Sequence, residues 1–178
     1  NPTWVEADMR TFNLNRKFGV VISPGHSFQF MNTPEDQVQC LVQIKRHLVT
    51  DGWLILHLDH QDVSWLASLL KQKEPDYAVG KIMVHPTTSR RYRFCYYSEY
   101  EPSSQTATVT AKWEEISSNG AILKTFYMEP SHLHCAFRME IEHLLERCGF
   151  SVQAVYGDFL TNPLGDNSEN MIWVARIK

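Results

Sequence analysis

The sequence has no glycine-rich turn. Its eight glycines are scattered along the chain, and no two of them form a G-x-G pair. This absence argues against a nicotinamide-dependent dehydrogenase, whose G-x-G-x-x-G turn lets the backbone approach the cofactor's pyrophosphate. Long apolar runs are absent as well, because no stretch approaches the ~18 residues that a membrane-spanning helix needs. We therefore expect no membrane partner.

A strong excess of charge of either sign is also absent. The 17 Lys and Arg residues are nearly balanced by 20 Asp and Glu residues, which gives a net charge of -3. This balance argues against a nucleic-acid-binding surface as the main function, although Arg90, Arg91 and Arg93 form a local basic patch. We predict that the protein has no nucleic-acid partner.

Cysteine is sparse and shows no paired spacing. The 4 cysteines are scattered, and no two of them are spaced as C-x-x-C. Cys40 and Cys148 fall on amphipathic helical patterns, where a buried free thiol is the usual state. These features predict a reduced, cytoplasmic protein. Because the chain opens at Asn1 rather than at Met, we also expect that a segment precedes it.

The first clear element is a short apolar run from Phe18 to Ile22 that stops at Ser23-Pro24-Gly25. Such a run predicts a buried strand of a parallel sheet, with small polar residues at the carboxyl end, where open α/β sheets bind ligands. A helix follows, with Thr33 as N-cap and Pro34 in the first turn, and runs to about Val49. A second buried strand covers 53–58 and ends at Asp59, and a second helix covers 62–73.

Beyond Tyr77 the apolar pattern changes to period two. Four such segments predict an antiparallel β-meander, and Asn119-Gly120 marks one of its hairpins; they are 81–84, 91–101, 106–116 and 121–128. A helix over 137–148 then ends at Gly149 in a left-handed conformation, and two strands follow over 151–156 and 171–177. We therefore predict an α/β core formed by 1–76 and 131–178, with an inserted β-meander over 77–130 that faces the substrate or mediates oligomerisation.

The order of these elements resembles class I S-adenosylmethionine-dependent methyltransferases, most closely the small-molecule branch with glycine and amino-sugar N-methyltransferases. Five parts of the chain carry the resemblance. They are the segment Glu6–Arg10 at the end of the strand Thr3–Ala7, the loop Ser23–Phe28, the helix and strand around Asp51-Gly52, the closing helix Glu140–Phe150, and the strand pair around Val155–Phe159 and Ile172–Arg176. The resemblance implies a partial Rossmann-like fold that contains the family's strands 3–7, a mixed sheet whose last strand is antiparallel.

The family's sheet order is 3-2-1-4-5-7-6, and the resemblance places Thr3–Ala7 as the third strand and Phe18–Ile22 as the fourth. The family's glycine-rich first motif and the acidic residue after its second strand have no counterpart here. The resemblance therefore implies a C-terminal portion that is inactive by itself. It also leaves the edge of Phe18–Ile22 unpaired, and we expect Thr3–Ala7, a second copy of the chain or a preceding segment to cover it.

The resemblance also implies S-adenosylmethionine as the cofactor and assigns candidate site residues. Asp8 would accept a hydrogen bond from the adenine amino group, and the backbone N–H of Met9 would meet the ring. Ser23, Pro24 and Gly25 would lie beside the methionine part of the cofactor. His26 and Ser27 would face the methyl acceptor, with His26 acting either as a base or as an orienting group. The alternative for His26 is a surface loop histidine.

Three further substrate-binding candidates each have a competing interpretation. Arg91, with Arg90 and Arg93, would hold an anionic group of the substrate or would form a solvated strand rim. Tyr92 begins an aromatic strand face that would line an acceptor pocket or a dimer surface, or simply pack on the sheet. Asp158 would contact substrate or close its own loop as an Asx turn.

Two groups of potential metal ligands are present, and we predict that neither binds a metal. One group is His57, Asp59 and His60; the other is His132, His134 and Cys135. Zinc favours such ligands, but neither spacing matches a closed zinc site.

Two functions follow from these observations. The first is methyl transfer from S-adenosylmethionine to N or O of a small molecule. The alternative is a non-catalytic, methyltransferase-like module that acts through self-association, either along the edge of Phe18–Ile22 or through the meander.

Overall fold

The computed structural model describes residues 2–70 and 76–178. The chain divides into two compact units, one formed by the residues up to Asp62 together with His134–Lys178, and one formed by Val63–Leu133. The second unit therefore begins at Val63 rather than at residue 77, and it includes the second helix as well as the meander. Residues 71–73, the expected end of that helix, lie outside the described residues.

The helices and strands of both units are named here in chain order. The helices are α1 (Pro34–Arg46), α2 (Val63–Leu69) and α3 (Arg138–Arg147). The described strands are β1 (Phe18–Ser23), β2 (Leu48–Asp59), β3 (Ala78–Val84), β4 (Arg91–Glu101), β5 (Thr106–Ile116), β6 (Ile122–Tyr127), β7 (Ser131–His134), β8 (Phe150–Tyr156) and β9 (Asn170–Ile177). A 3₁₀ turn covers Ser27–Phe30.

The sheet of the first unit has the order β1-β2-β9-β8. β1 runs parallel to β2, whereas β9 runs antiparallel to both β2 and β8. If β1 is the fourth strand of the expected fold, this order reads 4-5-7-6, with the last strand of the chain antiparallel. The fold class and this part of the strand order are thus confirmed.

Helix α1 begins where the sequence predicts, because the Thr33 side chain accepts a hydrogen bond of 3.1 Å from the Asp36 N–H. It ends at Arg46, three residues earlier than expected. The His47 N–H bonds back to the Gln43 carbonyl, and β2 begins at the next residue. Val42, an apolar residue of this helix, is 37% exposed. The buried stripe instead follows the spacing of Gln37, Cys40, Leu41 and Ile44.

The core of the first unit lies between this sheet and the helices α1 and α3. Its fully buried side chains come from the 3₁₀ turn, α1, β2, α3, β8 and β9, and the largest are Phe28, Leu41, Leu48, Leu54, Leu56, Leu58, Ile141, Leu145, Phe150, Met171 and Trp173. Cys40 belongs to this core, and burial raises the pKa of its thiol to about 12. Such a thiol stays protonated and behaves as a small apolar group.

The expected strand over Thr3–Ala7 is wrong. These residues form no strand, and Trp4 and Val5 are 89% and 60% exposed. In the expected order this segment is not a neighbour of β1, and no described strand offers it a hydrogen-bonding partner. It therefore does not cover β1, which among the described strands pairs only with β2. Val20 and Ile22 of β1 remain 47% and 59% exposed.

The second unit contains the meander, whose four expected strands correspond to β3, β4, β5 and β6 in that order. Gly120 has φ +87°, as a tight hairpin between β5 and β6 requires. No sequence pattern predicts β7, which pairs with β5. Within the described residues, no helix is long and apolar enough to cross a membrane.

A histidine cluster at the carboxyl edge of the sheet

The turn after β1 is built from residues that leave space beside the backbone. Gly25 has φ +60°, and a Cβ added there would meet nothing within 4 Å. His26 follows, also in the left-handed region, with φ 63°, a conformation that is uncommon for residues other than glycine. Ser23, the last residue of β1, is 5% exposed, and its buried hydroxyl oxygen has no hydrogen-bond partner. The turn therefore offers both open space and an unsatisfied polar group.

His26 lies in a polar cluster with side chains from the adjacent strands. Its Nδ1 is 2.7 Å from Oδ1 of Asp59, the last residue of β2. Its Nε2 is 3.1 Å from Nε2 of His57, and the two rings meet edge to face. Nε2 of His57 also lies 2.7 Å from Oδ1 of Asn170, the first residue of β9. The carboxyl ends of two parallel strands and the amino end of an antiparallel strand thus meet at one edge.

The partners of these rings indicate where the protons lie. The Gly25 N–H donates to Nδ1 of His57 over 3.2 Å, so the proton of a neutral His57 is on Nε2, directed at Asn170 and His26. The acidic partner of His26 is at Nδ1, so a neutral His26 carries its proton there and donates it to Asp59. Nε2 of His26 is then a basic nitrogen. Its lone pair faces Nε2 of His57 at 3.1 Å, so it can take a proton from another group once the two rings move apart, and the Asp59 carboxylate would then stabilise the resulting imidazolium.

A second network connects Asp8 to helix α1. The Asp8 carboxylate accepts hydrogen bonds from the Arg10 backbone N–H at 2.8 Å and from the Arg10 guanidinium at 2.6–3.2 Å. The same guanidinium donates to Asp36 in the first turn of α1 over 3.0 Å. These bonds from Arg10 lower the pKa of Asp8 to about 2 and also lower the pKa of Asp36. Asp8 is therefore held as an anion beside the helix that follows the β1 turn.

No protein-family model matches the sequence, and no curated protein matches it significantly. Solved structures do match. An S-adenosylmethionine-dependent methyltransferase from Clostridium acetobutylicum superposes with a TM-score of 0.76 at 13% identity, over 99% of this chain and 65% of its own. CalS10, an amino pentose methyltransferase from Micromonospora echinaspora, superposes with a TM-score of 0.63 at 18% identity, over 97% of this chain and 63% of its own. The sugar N-methyltransferase KedS8 from Streptoalloteichus superposes with a TM-score of 0.68 at 14% identity, over 97% of this chain and 61% of its own.

The chain has the fold of class I methyltransferases. It spans 61–65% of the length of these three structures. Within this methyltransferase fold, His26 and Asp59 follow the two parallel strands β1 and β2. Open α/β sheets place their ligands at such carboxyl ends.

The structure brings only some of the candidate residues to the carboxyl end of β1. Ser23, Pro24, Gly25, His26 and Ser27 form the β1 turn, where the Ser27 hydroxyl donates to the Pro24 carbonyl. Asp8 is joined through Arg10 to the start of α1. Met9 is half-buried against the core of the methyltransferase fold.

The other candidate substrate residues have structural partners of their own. Arg91 belongs to the second unit, where its guanidinium donates to the Ser117 and Ser118 carbonyls at 3.3 and 2.9 Å and so ties down the β5–β6 turn. Tyr92 is half-buried beside it in β4. Asp158 closes its own loop, because its carboxylate accepts from the Leu160 and Asn162 N–H groups and from the Asn162 side chain, which lowers its pKa. The Asx turn is thus formed.

The groups considered as metal ligands have other partners. Nδ1 of His60 lies 2.8 Å from the Ser168 carbonyl, and Nε2 of His134 lies 2.6 Å from Glu140. Over residues 2–70 and 76–178, no three His, Cys, Asp or Glu side chains are arranged to hold a metal ion.

The sequence did not identify His57, Asp59 and Asn170 as partners of His26. The first two were considered only as metal ligands. The signal was present, because His57 and Asp59 close the strand parallel to β1, and the ends of such neighbours meet. Asn170 gave no comparable signal, since its position depends on the antiparallel register of β9 against β2.

Proposed function

We propose that this chain is part of an S-adenosylmethionine-dependent methyltransferase that methylates N or O of a small molecule. The observation that carries the proposal is the His26–Asp59 pair at the carboxyl end of β1 and β2 in a methyltransferase fold. Similar structures include an amino pentose and a sugar N-methyltransferase, so we favour an amine on a sugar-like acceptor. A cytoplasmic protein fits the 4 free cysteines.

The residues of the β1 turn fit the proposed cofactor. Open space at Gly25 allows a ligand to approach the backbone, and the buried Ser23 hydroxyl lacks a partner that a polar ligand group would provide. Asp8 remains an anion with its pKa near 2, and a carboxylate has room for about four hydrogen bonds. Three N–H groups of Arg10 already bind it, so about one position is left to accept a bond from the adenine amino group while Arg10 stays bound. The backbone N–H of Met9 would meet the adenine ring, and Pro24 would contribute backbone beside the methionine part of the cofactor.

When bound, S-adenosylmethionine would supply an electrophilic methyl group on its sulfonium sulfur, and the residues of the β1 turn would hold it beside the acceptor. Nε2 of His26 takes the proton that the acceptor's nucleophile loses, once its ring has turned away from Nε2 of His57. Asp59 holds the ring through Nδ1 and stabilises the charge that the ring gains. His57, fixed by Gly25 and Asn170, restricts the orientation of the His26 ring. Ser27 would contact the acceptor beside His26.

The remaining candidates concern the acceptor. Arg91 and Tyr92 of the meander would recognise it, but the carbonyls of the β5–β6 turn already bind the guanidinium of Arg91. Asp158 would contact it only from within its Asx turn. We therefore assign these three residues less of the recognition than the β1 turn.

The proposal is tested by calorimetric titration with S-adenosylmethionine. The 178-residue chain lacks a G-x-G turn, so we expect it to bind weakly and to be inactive alone. The same chain preceded by its upstream reading frame should bind tightly and release S-adenosylhomocysteine with an amino sugar such as glucosamine, but not with glucose. An extended protein that does not bind S-adenosylmethionine would overturn the proposal.

A second function is supported by the exposed edge of β1. Among the described strands β1 pairs only with β2, and its Val20 and Ile22 are exposed, so the chain could act as a non-catalytic module through self-association, along this edge or through the meander. Light scattering after size exclusion distinguishes the two functions, because a strictly monomeric chain excludes the second.

A further inference from the structure

Two glutamines in the first unit are almost completely buried, and they differ in what they bind. Gln29 is 3% exposed and Gln37 is 5% exposed. The Gln37 side chain donates one hydrogen bond of 3.2 Å to the carbonyl of Met31, which lies just before α1 in the sequence. The Gln29 side chain uses both ends of its amide, and neither partner is local in sequence. A buried amide with two distant partners fixes the relative positions of those partners.

Gln29 contacts both members of the His26–Asp59 pair. Its side-chain Oε1 accepts a hydrogen bond of 2.8 Å from the Asp59 N–H, and its backbone N–H donates to the His26 carbonyl over 2.9 Å. Its Nε2 donates to the His134 carbonyl over 3.1 Å. The amide therefore cannot rotate without breaking two buried bonds, and its oxygen stays directed at the end of β2.

We propose that Gln29 is a positioning residue that holds His26 and Asp59 in register, an inference that rests on the proposed function of that pair. His26 has a left-handed backbone, which surrounding contacts must maintain. Asp59 is the last residue of β2, and its N–H is the group that Oε1 of Gln29 binds. The Gln29 side chain thus supports the strand end that carries the carboxylate, while the Gln29 backbone N–H supports the strained turn that carries the imidazole.

A buried glutamine also supports folding in general, and Gln37 provides the matched control. Gln29→Leu and Gln37→Leu remove amides of similar burial, so both should lower the free energy of unfolding. Only Gln29→Leu removes a contact to the His26–Asp59 pair. A milder variant, Gln29→Asn, keeps an amide that is one methylene too short to reach both partners, and it serves if the leucine variant does not fold.

The test is the tautomer of His26, measured by ¹⁵N NMR at alkaline pH on the protein with its upstream residues. The signal is assigned by its loss in His26→Asn. In the native protein Nδ1 should carry the proton and Nε2 should not, which separates the two nitrogen shifts widely. In Gln29→Leu or Gln29→Asn these shifts should move toward each other as the bond to Asp59 loosens, whereas Gln37→Leu should keep the native separation.

A native separation in both Gln29 variants would overturn the inference, and so would an equal change in Gln37→Leu. The readout needs neither cofactor nor acceptor, so it does not depend on detecting methyl transfer. If the extended protein shows the predicted tautomer change but does not bind S-adenosylmethionine, the proposed function fails and the positioning role stands. If it is active, Gln29→Leu should lower kcat while the Kd for S-adenosylmethionine stays unchanged.

Discussion

Nδ1 of His26 lies 2.7 Å from Oδ1 of Asp59, and this contact joins the ends of the two parallel strands of the first unit. A histidine at the end of one strand would be only a loop residue. A carboxylate at the end of the neighbouring strand directs its proton to Nδ1 and makes Nε2 the basic nitrogen. The contact therefore gives the β1 turn a defined chemistry.

The first prediction concerns Asp59. In Asp59→Asn the ring loses its anionic partner, so both the tautomer and the stabilisation of the imidazolium are impaired. We expect kcat for methyl transfer by the extended protein to fall by roughly 10²-fold, the lower range for general-base catalysis, with the Kd for S-adenosylmethionine unchanged. Asp166→Asn, at an exposed loop position, is the control and should be neutral. An unchanged kcat in Asp59→Asn would contradict the role of the pair.

The second prediction concerns acid stability. The pKa of Asp8 in the folded chain is about 2, against a usual value of 3.8, chiefly because of the Arg10 side chain. A carboxyl group whose pKa is lowered by folding stabilises the folded chain at any pH above its pKa in the unfolded chain. This contribution is lost as the pH falls through its pKa in the folded chain. Between pH 3.8 and about 2, the free energy of unfolding of Arg10→Gln should therefore fall less steeply than that of the native chain.

Urea denaturation at several pH values measures this slope. Arg90→Gln is the control, because Arg90 is 60% exposed and its distance to Glu115 is 3.5 Å, so its removal should leave the slope as it is. A slope for Arg10→Gln equal to the native one would show that the Asp8–Arg10–Asp36 network does not form in solution.

Local patterns predicted most of the elements because each carries its own chemistry. The Thr33 cap, Gly149 with φ +82° and the Asn119-Gly120 hairpin all depend on near neighbours in the sequence. Thr3–Ala7 shows the limit of this approach. Its residues suit a strand, but a strand also needs a hydrogen-bonding partner, and no described strand provides one. The missed partners of His26 have the same cause, since contacts between strand ends depend on register rather than on local pattern.

The third prediction concerns the buried charge of the meander. Glu114 is 3% exposed and accepts hydrogen bonds or ion pairs from Arg93 and Lys112, at 2.9 and 2.8 Å. Glu114→Gln removes the charge that compensates both cations, and we expect a loss of about 2–3 kcal/mol in the free energy of unfolding. Glu115→Gln, next along β5, affects the longer 3.5 Å pair with Arg90, whose side chain is 60% exposed, and should cost less than about 1 kcal/mol. Equal losses would contradict the assignment of Glu114 as the buried partner.

The fourth prediction concerns self-association of the chain alone. The edge of β1 that no described strand pairs with carries Ile22, which is 59% exposed, while Val79 of the meander is 63% exposed. If association uses the β1 edge, Ile22→Lys should shift the light-scattering mass to that of a monomer and Val79→Lys should not. The reverse result would assign association to the meander. A monomeric native chain would rule out both surfaces.

The most direct test of the methyl-transfer account is the rate of His26→Asn in the extended protein. With saturating S-adenosylmethionine and glucosamine, release of S-adenosylhomocysteine should fall by roughly 10²-fold or more, because the proton acceptor is removed. Calorimetry should show unchanged binding of S-adenosylmethionine, and His143→Asn, on the exposed face of α3, should retain the native rate. A native rate for His26→Asn would contradict the account, since it would leave the histidine cluster with no part in the reaction.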